Sequence, residues 1–333
     1  MGLASTYAVD AMMRAQPPDA SMEIQRHRGQ FNDEATGAPS MEALRVCLVC
    51  GLAALLGGCR GVLDPKGPVG AGEKLILLDA VAIMLVIVVP VIVATLAVAW
   101  WFRASNRRAR YLPDWSFSGR IELVVWSIPA LVIMFLGGLA WISSHDLDPA
   151  KPLPAGHAPP LQVEVVSLDW KWLFIYPDQG IASVNQLVVP AGAPLHLRLT
   201  SGSVMTAFFV PQLGSMIYTM NGMVTQLNLQ ADQPGSYPGL ASHFSGDGFS
   251  GMHFDTRAIS PPAFAAWAAA ARSAGPVLDA SAYEALSRQS QNVAPFTYRA
   301  AAPGLFEQIA TRQLPPGPGP QGEGPSPKSE KAS

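Results

Sequence analysis

Two stretches of this chain carry almost nothing but apolar residues. The first runs from Leu75 to Phe102, with one charge, Asp79, and one internal proline, Pro90. The second runs from Leu123 to Ile142 with no charge and with Pro129 in its first half. Neither shows the polar stripe that a water-facing helix of this length requires. About 20 helical residues cross the hydrocarbon of a bilayer, so each run is long enough to span it. Pro90 should kink the first helix, which a membrane tolerates where neighbours satisfy the freed carbonyl. Trp100 and Trp101 close the first run, and Trp126 and Trp141 lie near the ends of the second, where interfacial aromatics belong. The pattern predicts a transmembrane hairpin of two helices, 75–102 and 123–142.

The connection, residues 103–122, carries Arg103, Arg107, Arg108, Arg110 and Arg120 against Asp114 and little else. The positive-inside rule makes such a short loop cytoplasmic, so both ends of the hairpin face outward. Upstream, residues 1–40 are polar and without hydrophobic period: a leader, or sequence ahead of the true start if translation begins at Met41. Residues 41–58 read as a lipoprotein signal peptide, with Arg45 in the positive region and Val46 to Leu56 as an apolar core too short to span. The segment closes on Leu56-Gly-Gly-Cys59, which resembles a lipobox whose cysteine is acylated; the alternative is an ordinary signal peptide with an incidental cysteine. Residues 59–74 then form an outward-facing N-terminal segment. This agrees with the orientation set by the arginines.

Beyond the second helix the periodicity shortens. A Pro-rich linker fills 143–160. From 161 to 261 short alternating or aromatic runs follow one another: Gln162 to Val166, Trp170 to Tyr176, Gln186 to Pro190, Leu195 to Thr200, Val204 to Pro211, Val224 to Leu229 and Met252 to Thr256. Breakers such as Pro177, Gly180, Gly192, Gly202 and Gly235 separate them. Short strands at this spacing predict an all-β sandwich or barrel. Residues 262–313 change character again to a helical C-terminal arm, with helices expected over Pro262–Arg272, Asp279–Arg288 and Gly304–Ala310. Residues 314–333, rich in Pro, Gly, Ser and Lys, read as a disordered tail.

Composition narrows the chemistry. Only 14% of residues are charged, well below a soluble protein's share, in keeping with the hairpin. The net charge of −2, with no basic patch interleaved with aromatics and no phosphate-cradling loop, gives no reason to expect nucleic acid or nucleotide chemistry. The three cysteines, Cys47, Cys50 and Cys59, all precede the hairpin, so no disulfide can staple the exported part and no thiolate is available to it.

Lipobox, two-span hairpin, exported sandwich and helical arm together resemble subunit II of the haem–copper terminal oxidases. Particular runs are closer to the ubiquinol-oxidising, cytochrome bo-type branch. They are Leu63-Asp-Pro-Lys-Gly67, Arg103-Ala-Ser-Asn106, Val165-Val-Ser-Leu-Asp-Trp-Lys-Trp172, Phe174-Ile-Tyr-Pro-Asp-Gln-Gly-Ile-Ala182 and Phe249-Ser-Gly-Met252. The resemblance covers roughly residues 56–310 and implies a periplasmic cupredoxin-like fold for the sandwich. It also implies an inner-membrane location, oxidase subunit I and other oxidase subunits as partners, and the lipid bilayer as surroundings.

The cytochrome c branch of that family holds a dinuclear copper centre on two bridging cysteines, two histidines, a methionine and a carbonyl. By resemblance the cysteine loop corresponds to Ser245–Gly251, with Ser250 at one thiolate position, and the upstream histidine falls at about Thr206. Hydroxyls that stay protonated at neutral pH cannot bridge copper, so both positions read as lost ligands, and a blue-copper site fails for want of a cysteine. His243 and His253 flank the loop, while His145, His157 and His196 are scattered. Met205, Met216, Met220, Met223 and Met252 read as packing residues. The expectation is no metal and no cofactor in this chain, with haems and copper in subunit I.

Trp170 matches the tryptophan through which electrons enter the copper centre; without copper behind it, packing is the better reading. Glu122, at the cytoplasmic start of the second helix, matches a glutamate at the mouth of a proton path into subunit I. An interfacial charge paired with Arg120 is the alternative, and Asp79 poses a similar choice with less support. The resemblance implies a non-redox subunit II of a proton-pumping quinol oxidase. The alternatives are a stand-alone membrane-tethered cupredoxin-like binding lipoprotein and a cytochrome c oxidase subunit II.

Overall fold

The computed structural model describes residues 61–110, 112, 115–154 and 159–319. The leader, the signal peptide, the lipobox with Cys59, and also Cys47, Cys50, Asp114 and His157 lie outside the described residues.

Two long helices come first, α1 (Pro68–Trp101) and α2 (Gly119–Asp146). Each extends beyond its apolar run by about a turn or more, and α1 continues through Pro90 as α2 does through Pro129. Pro68 starts α1 at a position where its missing N–H is no loss. Gly70 is the one buried residue of α1, and α2 has none. Their side chains instead point outward all round, as at Val86, Trp126 and Phe135, each about 70% exposed or more. A surface this apolar is stable only in lipid or against another apolar protein.

The part that follows the helices is a two-sheet sandwich. The larger sheet contains β1 (Leu161–Leu168), β2 (Lys171–Tyr176), β3 (Ile181–Val184), β5 (Pro194–Ser201), β8 (Thr225–Gln230) and β12 (Phe296–Tyr298), ordered β12-β3-β2-β1-β5-β8. The smaller contains β4 (Gln186–Pro190), β6 (Thr206–Phe209), β7 (Ile217–Thr219), β9 (Gly235–Ala241) and β10 (His253–Ile259), ordered β4-β10-β9-β6-β7. The pairs β1–β5 and β4–β10 are parallel and the rest of the ladder is antiparallel.

Between the sheets Trp172, Phe174, Phe208 and Phe254 form an aromatic core. Phe208 and Phe254 stack at 4.9 Å, and Trp172 meets Phe208 edge-on at 5.4 Å. β2 is buried along its whole length because the outer face of its sheet is also covered. That cover is the later part of the C-terminal arm, β11 (Val277–Leu278), α4 (Ala280–Ser287), β13 (Ala300–Ala301) and α5 (Leu305–Ala310), while α3 (Pro261–Ser273) packs Phe264, Ala268 and Ala271 into the inter-sheet core. Tyr283, Leu305, Phe306 and Ile309 pack on Val166, Leu168, Leu173 and Ile175 to make a second core.

Three local expectations change here. The arm is not wholly helical, since β12 joins the edge of the large sheet. β3, β7 and β9 belong to the sandwich although no clear strand signal marks them. Residues 314–319, read as the start of a disordered tail, lie packed along the domain instead. Gly317 N donates to Gly202 O at 2.7 Å, and Gly319 N donates to a carboxylate oxygen of Asp169 at 3.1 Å.

The hairpin is tied to the sandwich through backbone. Lys66 N donates to Gln212 O (2.7 Å), Gly70 N to Leu213 O (3.1 Å) and Asn228 N to Pro149 O (2.9 Å). Gly67 has to be glycine at this junction, since a Cβ there would sit 2.0 Å from the Gln230 carbonyl oxygen.

Candidate functional site

Thr206 and Ser250, singled out by resemblance, lie at one end of the sandwich, where β6 begins and the loop from β9 to β10 passes. Thr206 is buried, and its hydroxyl donates to His243 O at 3.1 Å. Thr219 joins the same layer, its hydroxyl within 2.7 Å of that of Ser167. Ser250 stands in a single 3-10 turn, Phe249–Gly251, and its carbonyl lies 2.7 Å from His253 Nε2. Met252 is 1% exposed and belongs to the inter-sheet core. Its sulfur is a packing atom there.

His243 sits edge-on to Tyr218 at 5.6 Å, while the Ser242 hydroxyl donates to Met216 Sδ at 3.1 Å. The Thr206 hydroxyl is thus engaged with a backbone oxygen, and the hydroxyls of Ser167 and Thr219 with each other. Among the described residues no three His, Cys, Asp or Glu side chains are grouped to hold a metal. This donor set does not fit a thiolate-bridged dinuclear copper centre.

The Asp-Trp-Lys-Trp run forms the turn between β1 and β2, under the same loop. Trp170 adopts a left-handed backbone (φ 61°), which is uncommon for a bulky residue and is held by its surroundings. Its indole N–H donates to Ser245 O at 3.0 Å, and its ring lies against Gly248 so closely that a Cβ there would come within 2.3 Å. The aromatic plate thereby holds the loop from β9 to β10.

Asp169 and Lys171, both nearly fully buried, extend the anchorage to the C-terminal arm. Asp169 accepts from the Ser203 hydroxyl and from Gly319 N. Lys171 Nζ donates to Arg288 O (2.7 Å), the Ser290 hydroxyl (2.7 Å) and Asp169 O (3.2 Å). Burial pulls the Lys171 ammonium down to about 8, and the Asp169 carboxylate partly opposes it. All three ammonium donors are used, so this lysine is a tie between the β1–β2 turn and the arm. Sequence reasoning singled out Trp170 in this run and passed over its charged neighbours; the signal was two charges flanking an aromatic in a strand-rich segment.

The membrane residues lie elsewhere. Glu122 occupies the first turn of α2, exposed, its N–H donating to Ser118 O at 3.0 Å. Among the described residues no ion pair joins it to Arg120. Asp79 opens into a shallow groove between the helices, beside Ala82, Ile83, Met134, Phe135 and Gly138. Of the scattered histidines, His196 contacts the Asn228 side chain at 3.0 Å and His145 contacts Trp141 O at 2.8 Å. The sequence-predicted residues therefore fall into two separate places: Thr206, Ser250 and Trp170 together in the sandwich, and Glu122 alone in the hairpin.

Residues 178–259 match the family described as "Cytochrome C oxidase subunit II, periplasmic domain". The chain is 49% identical over 80% of its length to the ubiquinol oxidase subunit 2 of Acetobacter aceti, covering 88% of that protein. It is 48% identical to the cytochrome bo(3) ubiquinol oxidase subunit 2 of Pseudomonas aeruginosa, over 78% of each chain. With the quinol oxidase subunit 2 of Bacillus cereus it shares 33% identity over 68% of this chain and 79% of the other. These likenesses take in both the apolar hairpin and the sandwich, and two apolar helices with a match to a periplasmic domain fit an inner-membrane protein. The chain belongs to the ubiquinol oxidase subunit 2 family, the bo-type branch of subunit II of the haem–copper terminal oxidases.

Proposed function

We propose that this chain serves as subunit II of a proton-pumping terminal oxidase that passes electrons from ubiquinol to oxygen, and that it contributes no redox centre of its own. The observation that carries this reading is the identity of nearly half to bo-type ubiquinol oxidase subunits over most of both chains. The hydroxyls of Thr206 and Ser250 at the copper-ligand positions support it, because a domain without thiolates has no dinuclear route from cytochrome c. Haems and copper then reside in subunit I, and electrons reach them from quinol in the membrane. The hairpin and the exported domain hold and cap that subunit. In this reading the arginine loop is cytoplasmic, the sandwich is periplasmic, and Cys59 is acylated outside.

Purification from membranes tests the proposal. The chain should co-purify with a haem-containing subunit, and the complex should turn over quinol and not cytochrome c. A stable solitary chain, or two coppers found by metal analysis of the exported part, would overturn it.

Glu122 is the proposed proton entry. A carboxylate at the boundary of a spanning helix, at the positive end of the helix dipole and without a described cationic partner, can take up and release a proton there. Glu122→Gln keeps the shape and removes the titration. It should lower quinol turnover by about tenfold or more, the scale on which positioned proton carriers act, with haem content unchanged. Full activity in that variant ends the assignment.

A further inference from the structure

The turn between the two membrane helices has more chemistry than a connection needs. Asn106 shapes its start: Nδ2 donates to Trp101 O at 2.6 Å, and Oδ1 accepts from Arg108 N at 3.1 Å. The chain therefore bends within a few residues of the end of α1, and Arg107 and Arg108 leave directly from that bend. Arg103 lies with its guanidinium 5.1 Å from the Trp100 ring centre. Arg103, Arg107, Arg108, Arg110 and Arg120 are all exposed, and none is in an ion pair among the described residues.

Between these cations stand large apolar side chains that water would not favour. Leu112 is 56% exposed, Trp115 61% and Phe117 66%. A loop meant for bulk water does not present them, and a loop buried in lipid would not carry five guanidinium groups. Both features fit one place, the headgroup layer, where aromatic rings sit at the interface and cations meet phosphate. Arginine is also the suitable cation, because its planar fork takes two phosphate oxygens at once.

We propose that Arg107, Arg108, Arg110, Trp115 and Phe117 form a binding surface for anionic phospholipid headgroups, with the three arginines contacting phosphate and the two aromatic rings set in the interface. The proposal rests on α1 and α2 spanning the bilayer and not on which face the loop occupies.

The test uses the purified oxidase complex containing this chain, reconstituted in phosphatidylcholine bilayers, with spin-labelled phosphatidylglycerol or phosphatidylcholine as probe. The native complex should hold phosphatidylglycerol several-fold more strongly than phosphatidylcholine, and added salt should erode the difference. Each cation near an anionic surface contributes a few-fold. The triple variant Arg107→Gln, Arg108→Gln, Arg110→Gln should therefore lose most of that preference and hold the two lipids nearly alike. The matching triple lysine variant keeps the charge and should retain most of it, which separates an electrostatic surface from damaged folding. Unchanged selectivity in the glutamine variant overturns the proposal. So does retained selectivity with loss of a protein subunit, which would make the loop a protein contact. Labelling of a Ser118→Cys variant from either side of sealed vesicles reads the orientation separately, so a reversed hairpin corrects the topology without touching the lipid result.

Discussion

Lys171 concentrates the residue-scale energetics of this protein. Its ammonium is buried against two carbonyls and a hydroxyl, and burial holds it near 8 against 10.5 for a free lysine. Between about pH 8 and 10.5 the unfolded chain keeps a proton that the folded chain has released, so stability rises with pH across that window. The buried hydroxyls of Tyr176 and Tyr283 act in the opposite sense, since burial raises both and the folded chain keeps protons that the unfolded chain loses above about 10. Thermal unfolding of the protein in detergent, followed by tryptophan fluorescence, should show a midpoint that climbs from pH 8 to near 10 and falls beyond. Lys171→Met should flatten the climb and leave the fall. A climb of the same size in the variant would assign it to another group.

At the scale of elements, the C-terminal arm is what turns the large sheet from a one-sided surface into a buried layer. Phe306 on α5 is 1% exposed and lies over Val166 and Leu173, with the Arg198 guanidinium 5.0 Å from its ring centre. Arg198 also links Glu164 on β1 (3.2 Å) to Glu307 on α5 (2.7 Å). Removing the ring leaves a cavity and unroofs the sheet, so Phe306→Ala should cost about 3–5 kcal/mol. The drop in unfolding midpoint measures it, and a loss below about 1 kcal/mol would show that the sandwich stands without its roof. The long elements were legible in the sequence: both membrane helices, β1, β2, β5 and the three arm helices lie where periodicity puts them. β9 was not, because Pro238 and its glycines read as a turn. The strand tolerates that proline because its pairing with β6 is confined to Leu240 and Ala241, beyond Pro238. β12 was hidden for another reason: it completes the sheet by pairing with β3, more than a hundred positions upstream, which no local pattern records.

The whole molecule joins a lipid-adapted hairpin to a sandwich in which no three His, Cys, Asp or Glu side chains are grouped among the described residues. The missing thiols were visible in the sequence at once. The replacement network was not, since the engagement of Thr206 with His243 and of Trp170 with Ser245 depends on strands meeting across the sandwich. One cysteine should not create a dinuclear copper centre here. Ser250→Cys with added copper should give no near-infrared absorbance of a dinuclear centre, because the second bridge is still absent and the Met252 sulfur is committed to the core. Appearance of that band would mean the loop can rearrange far more than its anchorage on Trp170 allows.

The hydrogen bond from Gly319 to Asp169 spans 150 positions of the chain. During synthesis at about 5–20 residues per second, Asp169 emerges on the order of ten seconds before its partner exists. Until then the carboxylate lacks the donor from Gly319 and has its bond from the Ser203 hydroxyl. The Gly319 contact thus closes late in synthesis, well after the turn that it meets has been made.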